Sequence, residues 1–208
     1  MAELVIFDLD GTLMDTAVAS IAAIRACAHE QGFSIPPEDT IRRAIGLANP
    51  AFYFHLYPDV PREAVLAFGN EVERREALLI SETGTALAFP GVPDMLQSLR
   101  RSKKTLCIAS TGNASHVNTA LNTTGVAYNF EMICCGEADK TGMLRHILLS
   151  HSGKSAVMVG DTEIDAYAAT ANGIPSIGAA YGYCSHDRYG VFDEVASDTG
   201  SLLEMLVR

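Results

Sequence analysis

Asp8 and Asp10 stand two residues apart at the end of a short apolar run, Leu4 to Phe7, and Gly11 and Thr12 then turn the chain away. A buried strand that delivers two carboxylates to its tip sets up strong repulsion, relieved only by a cation between them or a proton on one. Either arrangement equips a site for catalysis. Three further positions could complete it. Ser110, Thr111 and Gly112 follow a second strand-like run, Thr105 to Ala109; a hydroxyl and free amides ahead of a helix suit a phosphate oxygen, although Ser or Thr there is also an ordinary helix cap. Lys140 opens a third helical stretch, where an ammonium can offset the two aspartates, or merely sit in solvent at an unfavourable helix end. Gly160, Asp161 and Asp165 follow the apolar run Ala156 to Val159, a pattern that a simple helix-capping turn would also produce.

These positions need a scaffold that brings strand ends together. After residue 85 the pattern alternates: helical spacing at Val92, Met95, Leu96 and Leu99, the Thr105 strand, a helix marked by Val117, Ala120 and Leu121, and a strand over Met132 to Cys135. A helix with Met143, Leu144, Ile147 and Leu148, the Ala156 strand, a helix from Ala166 to Asn172 stopped by Gly173, and a strand over Ile174 to Ile177 follow. Such alternation predicts an α/β fold, a Rossmann-like parallel sheet with helices on both faces and ligands at the carboxyl ends of the strands. Residues 16 to 84 break the rhythm. One helix is marked by Val18, Ile21, Ala22 and Ala28, another by Val65, Phe68, Val72 and Leu79 from Pro61 onward, with no convincing strand between. A parallel crossover needs only a dozen or so residues, so an all-helical insert is expected there. The division is 1–15 and 85–208 for the core and 16–84 for the insert.

Composition narrows the function. With 208 residues, 48% hydrophobic and 19% charged, the chain supports one packed core and a small elaboration. The net charge is −10, and basic residues run no longer than pairs such as Arg42-Arg43, so nucleic acid is not an expected partner. No apolar run approaches the roughly 20 residues of a membrane span, and the opening MAELVIFDLD lacks the pattern of a leader, so a cytoplasmic protein with no membrane partner is expected. The five cysteines, Cys27, Cys107, Cys134, Cys135 and Cys184, read as reduced core residues, with the adjacent pair pointing to opposite sheet faces. His29, His116, His146, His151 and His186 show no ligand spacing. Lys154 lies in a GKS string, but Leu148 stands where a nucleotide-binding loop requires its first glycine.

LVIFDLDGTLMD resembles the first motif of the haloacid dehalogenase superfamily. Ser110, Lys140 and the GDTEID string at Asp161 and Asp165 resemble its second, third and fourth motifs in order. The third departs from the usual pattern, since Thr141 rather than Pro follows the lysine. IRRAIG at Ile41 to Gly46 and FPGV at Phe89 to Val92 look like phosphoglycolate phosphatases, whose helical insert is a cap over the active site. The resemblance implies a phosphomonoester hydrolase acting on a small phosphorylated metabolite through an aspartyl-phosphate. In it Asp8 is the nucleophile and Asp10 the general acid and base. Lys140, Ser110, Thr111 and Gly112 would bind phosphate, with Mg²⁺ held by Asp8, Asp10 through its carbonyl and Asp161, and with Asp165 as a partner of these ligands or a ligand through water. A dehalogenase is disfavoured because those relatives need no second Asp or metal. A phosphomutase of the β-phosphoglucomutase type, a 5′-nucleotidase, a pyrophosphatase and an idle binding module are the alternatives. Arg43, Asn49, Phe52, Tyr53 and His55 are candidates for leaving-group contacts, and monomer and homodimer are equally compatible with the sequence.

Overall fold

In the computed structural model the described residues are 2–183 and 186–208, so Cys184 lies outside them. Six parallel strands form one sheet: β1 (Leu4–Phe7), β2 (Thr105–Ser110), β3 (Met132–Cys135), β4 (Ala156–Gly160), β5 (Ser176–Ala179) and β6 (Glu194–Ala196), in the order β3-β2-β1-β4-β5-β6. All four residues of β1 are fully buried, which explains why its sequence is continuously apolar rather than alternating.

Alternation nonetheless decides which helix each side chain meets. Val5, Phe7, Leu106, Ile108 and Val159 face one way and pack with α5 (Val92–Arg101), α6 (Ala114–Thr123) and α9 (Thr199–Val207) through Leu96, Val117 and Leu202. Leu4, Ile6, Cys107, Ala109 and Met158 face the other way, against Leu144 and Ile147 of α7 (Lys140–Ser150) and Ala169 of α8 (Glu163–Ala171). Each fully buried aliphatic contributes about 1.5–3 kcal/mol, so both faces anchor the strands whose tips carry the site. Cys135 packs on the first face and Cys134 on the second, as their adjacency requires. The four described cysteines are free thiols.

Two elements start elsewhere than the sequence suggests. Strand β5 starts at Ser176 rather than Ile174 because the Ile174 N–H closes the end of α8 by donating to the Ala169 carbonyl, and Pro175 has no N–H to offer. Helix α8 starts at Glu163 rather than Ala166, since Thr162 and Asp165 form a capping box ahead of its apolar residues.

Residues 16–84 hold four helices and no strand: α1 (Ala17–Gln31), α2 (Glu38–Ala44), α3 (Ala51–Leu56) and α4 (Arg62–Thr83). They share a separate apolar cluster in which Ile24, Ile41, Val65 and Phe68 are fully buried, with the Phe33 ring stacked on Phe68 at 4.5 Å. Toward its C-terminus α4 leaves this cluster, and Ile80 packs beneath the sheet instead. Among the described residues no helix is long and apolar enough to cross a membrane.

Candidate active site

Strands β2, β1 and β4 are neighbours, so Ser110, Asp8 and Asp161 leave the sheet side by side at its carboxyl edge, where ligands of such sheets gather. Lys140 reaches the same edge from the first position of α7. Its Nζ lies 2.9 Å from Asp8 Oδ1 and 2.6 Å from Asp165 Oδ1, with all three side chains buried. Asp8, Asp161 and Asp165 each offer an oxygen within 4.8 Å of the others.

Two glycines make this density possible. Gly11 has φ +79°, and a side chain there would run into the Asp161 carboxylate and the Tyr183 ring. At Gly160 a Cβ would collide with Asp165. The carboxylates are also held individually. Asp161 Oδ2 accepts from the Tyr183 N–H at 2.7 Å, and its Oδ1 accepts from the Thr12 hydroxyl at 3.3 Å. Asp165 Oδ2 accepts from the Thr162 N–H at 3.0 Å and hydroxyl at 2.8 Å, while its Oδ1 holds Lys140.

Three buried acids against one ammonium leave a deficit of positive charge. Burial pushes the Asp8 carboxyl up to about 7 even though Lys140 pulls the other way. Burial, then Asp8 and Asp165, hold Asp161 well above the usual carboxylate range. For Lys140, burial alone would favour the neutral amine, but Asp165 and Asp8 outweigh it and keep the ammonium charged. An oxygen-only donor set with two carboxyls that resist ionising without further positive charge fits a hard divalent cation such as Mg²⁺.

Asp10 faces the other way. Its Oδ1 accepts from the Thr16 hydroxyl at 2.6 Å and lies 2.7 Å from His116 Nε2. Burial would raise this carboxyl, but His116 and Thr16 outweigh it and hold it below its ordinary value. The imidazole is correspondingly lifted to about 10, by Asp10 first and then by Glu76 and Glu73, against burial. Behind it, His116 Nδ1 is 3.8 Å from Glu76 Oε2, and the Ser20 hydroxyl donates to Glu76 Oε1. This group faces a cavity of about 410 Å³ between the sheet edge and the helical unit.

The structure brings Asp8, Lys140, Asp161 and Asp165 together and places the other expected site residues as follows. The Asp10 carboxylate is not in the acid cluster, so any share in a metal site comes only through its main-chain oxygen. Both oxygens of Asp165 are engaged, which makes it a holder of Lys140 before a ligand. The Thr111 hydroxyl donates to the Gly46 carbonyl at 2.9 Å rather than pointing to a phosphate, and the Gly112 N–H donates to Ser110 Oγ at 3.1 Å. Of the leaving-group candidates, Asn49, Phe52 and Tyr53 line the cavity beside Asp10, whereas Arg43 and His55 line a separate one of about 500 Å³.

His116 is the residue that sequence reasoning passed over, along with Thr16 and Glu76. Its position one residue before the Val117, Ala120, Leu121 stripe was legible, but the contact with Asp10 spans 106 residues of chain.

Comparisons with known proteins bear on the family and the fold. The sequence model described as "Haloacid dehalogenase-like hydrolase" matches residues 5–179. A probable phosphatase, IndB, of Dickeya dadantii is 30% identical over 99% of this chain and 96% of its own length. A phosphoglycolate phosphatase of Agrobacterium fabrum is 26% identical over 100% of this chain and 95% of its own. Among solved structures, a predicted phosphoglycolate phosphatase from Haemophilus somnus superposes with a TM-score of 0.87 at 18% identity, covering 98% of this chain and 97% of that one.

Proposed function

For a chain that belongs to the haloacid dehalogenase-like hydrolase family, we propose a phosphatase that uses Mg²⁺ and an aspartyl-phosphate to hydrolyse a small phosphorylated metabolite, in the manner of its phosphoglycolate phosphatase relatives. The observation that carries the reading is the division of labour between two aspartates two residues apart. Asp8 is paired with Lys140 inside the acid cluster, whereas Asp10 is turned by Thr16 and His116 toward the cavity.

In the first half-reaction an Asp8 oxygen attacks phosphorus, the bond from phosphorus to the alcohol oxygen breaks, and that oxygen takes a proton from the Asp10–His116 pair. In the second, water attacks the phosphorus of the aspartyl-phosphate and gives a proton back to the pair, releasing inorganic phosphate and the Asp8 carboxylate. Sharing one proton across 2.7 Å lets Asp10 act in both directions. Lys140 neutralises Asp8 and the incoming dianion, and Ser110 with neighbouring amides meets the equatorial oxygens. Mg²⁺, held by Asp8, Asp161 and the Asp10 carbonyl, would supply the remaining positive charge for the phosphoryl group. Residues 16–84 act as a cap on a core made of 1–15 and 85–208.

Hydrolysis of p-nitrophenyl phosphate with Mg²⁺ tests the reading. Asp8→Asn is expected to lower kcat at least a thousandfold with an unchanged circular dichroism spectrum, and EDTA to abolish turnover reversibly. Activity retained in either case rejects the mechanism.

A further inference from the structure

Asp10 and His116 are held from behind by a closed ring of contacts. Asp10 Oδ1 lies 2.7 Å from His116 Nε2 and 2.6 Å from the Thr16 hydroxyl. The two nitrogens of an imidazole point in different directions, so with Nε2 on Asp10 the ring turns Nδ1 elsewhere, and there Glu76 Oε2 stands at 3.8 Å. That distance is an ion-pair contact rather than a hydrogen bond. Glu76 is fixed in turn through its other oxygen, which accepts from the Ser20 hydroxyl, and Ser20 Oγ lies 3.1 Å from the Thr16 carbonyl. The ring closes from Asp10 through His116, Glu76, Ser20 and Thr16 back to Asp10, and all five residues line the same cavity. Helix α4 also fixes the main chain of this histidine. Glu73, one turn before Glu76, accepts from the Asn113 side-chain amide at 2.9 Å, and Asn113 Oδ1 accepts from the His116 N–H at 2.9 Å. The side chains of Asp10, His116 and Glu76 keep no more than 15% of their surface exposed, so water has little access to compete for the imidazole. A half-turn of that ring about χ2 would put a carbon where Nε2 now meets Asp10.

We infer that Glu76 is a positioning residue for proton delivery: it turns His116 so that Nε2 serves Asp10, and it does so from the helical insert without touching the reacting atoms. The inference rests on the phosphatase reading and extends it from the strand ends to α4. Glu76 neither gives nor takes a proton. The proton still passes from the Asp10–His116 pair to the leaving oxygen as the bond from phosphorus breaks. General acid catalysis is typically worth about 10²–10⁴-fold, and a misaligned donor forfeits part of that.

Two aryl esters of similar shape separate proton delivery from binding and folding. p-Nitrophenolate leaves without a proton, whereas phenolate is more basic and gains from one. The ratio of kcat/KM for phenyl phosphate to that for p-nitrophenyl phosphate therefore reports on the donor. With the full chain and Mg²⁺, Glu76→Ala is expected to lower this ratio about tenfold. Glu76→Gln keeps the size and one acceptor oxygen and should lower it only about threefold, and Ser20→Ala, which frees the Glu76 carboxylate, by a similar amount. An equal loss on both esters marks a merely structural role and overturns the inference, as does an unchanged ratio, with or without a raised KM. Hydrolysis of p-nitrophenyl phosphate but not of phenyl phosphate by the unmodified protein overturns it too, since no proton would then be delivered. Should Glu76→Ala not fold, the ratio in Glu76→Gln and Ser20→Ala decides, and it must fall in both. Failure to hydrolyse p-nitrophenyl phosphate is a separate result, which rejects the phosphatase reading and this inference with it.

Discussion

The acid cluster at the strand ends, the floor of the site, and the α4 side of the neighbouring cavity, its roof, are built by different rules. On the floor, Asp8, Asp161, Asp165 and Lys140 are almost wholly buried on strand ends and a helix start, and a main-chain N–H fixes Asp161 and another fixes Asp165. On the roof, Glu73 and Glu76 come from one face of α4, are only partly buried, and are held by side chains: Asn49, Asn113 and Ser20. The floor tolerates no rearrangement, because every group balances a buried charge. The roof can exchange one polar side chain for another at small cost in stability.

Lys140→Met tests the rigid half most severely. It leaves Asp8 and Asp165 buried around an apolar side chain of similar length, and removal of one partner from a buried ion pair typically costs about 3–5 kcal/mol. Urea unfolding without Mg²⁺ is expected to register a loss in that range, with activity abolished. The roof offers the contrast. Arg74→Ala breaks an exposed pair with Glu71 and should shift stability by less than about 0.5 kcal/mol. Similar losses at both positions would erase the distinction.

The same division decides what the sequence discloses. Asp8, Asp10, Ser110, Lys140 and Asp161 follow strands or open helices that apolar periodicity delimits, so a parallel topology brings them to one edge without further information. Strand β6 was not legible, being three residues long with two of them exposed. His116 and Glu76 escaped because their meeting depends on how α4 and α6 dock, and no local pattern encodes that, whereas Thr16 meets Asp10 only six residues away, within local reach of the sequence. The five cap candidates divided between two cavities for the same reason: Asn49, Phe52 and Tyr53 lie beside Asp10, while Arg43 and His55, a few residues away, look elsewhere.

Stability against pH, measured with chelator present, should show the buried carboxyls and His116 in separate windows. Asp8 has an ordinary value of 3.8 and about 7 in the fold, so the folded state binds the proton more tightly and stability declines as pH rises between them. Asp161 and Glu76 are displaced in the same direction, so Asp8→Asn should reduce this slope without removing it. His116 goes from 6.5 to about 10, so its contribution is complete below 6.5 and is lost as pH climbs through 10. His116→Gln should flatten that alkaline slope and, on the acid side, remove the depression that His116 imposes on the Asp10 carboxyl. Saturating Mg²⁺ should flatten the acid-side slope and leave the alkaline one. Thermal melts across pH 4 to 10 in the three proteins check this, and a His116→Gln effect confined to the acid side would contradict it.

The smallest expected effect lies where floor meets roof. Thr111 follows β2, yet its hydroxyl donates to the Gly46 carbonyl of the helical unit at 2.9 Å. Thr111→Val keeps the shape and removes the donor, and loss of such a bond to a carbonyl costs about 1 kcal/mol. If the bond exists in the unliganded protein, the cost appears in thermal stability without substrate. Should it form only as the helical unit settles over bound ester, the cost appears as a rise of about fivefold in KM, since 1.4 kcal/mol is tenfold and 1 kcal/mol correspondingly less. In both cases kcat should hold, because Asp8, Lys140 and Asp161 are untouched. A fall in kcat with unchanged KM would mean that the helical unit positions the nucleophile as well as the alcohol, and that floor and roof are one device.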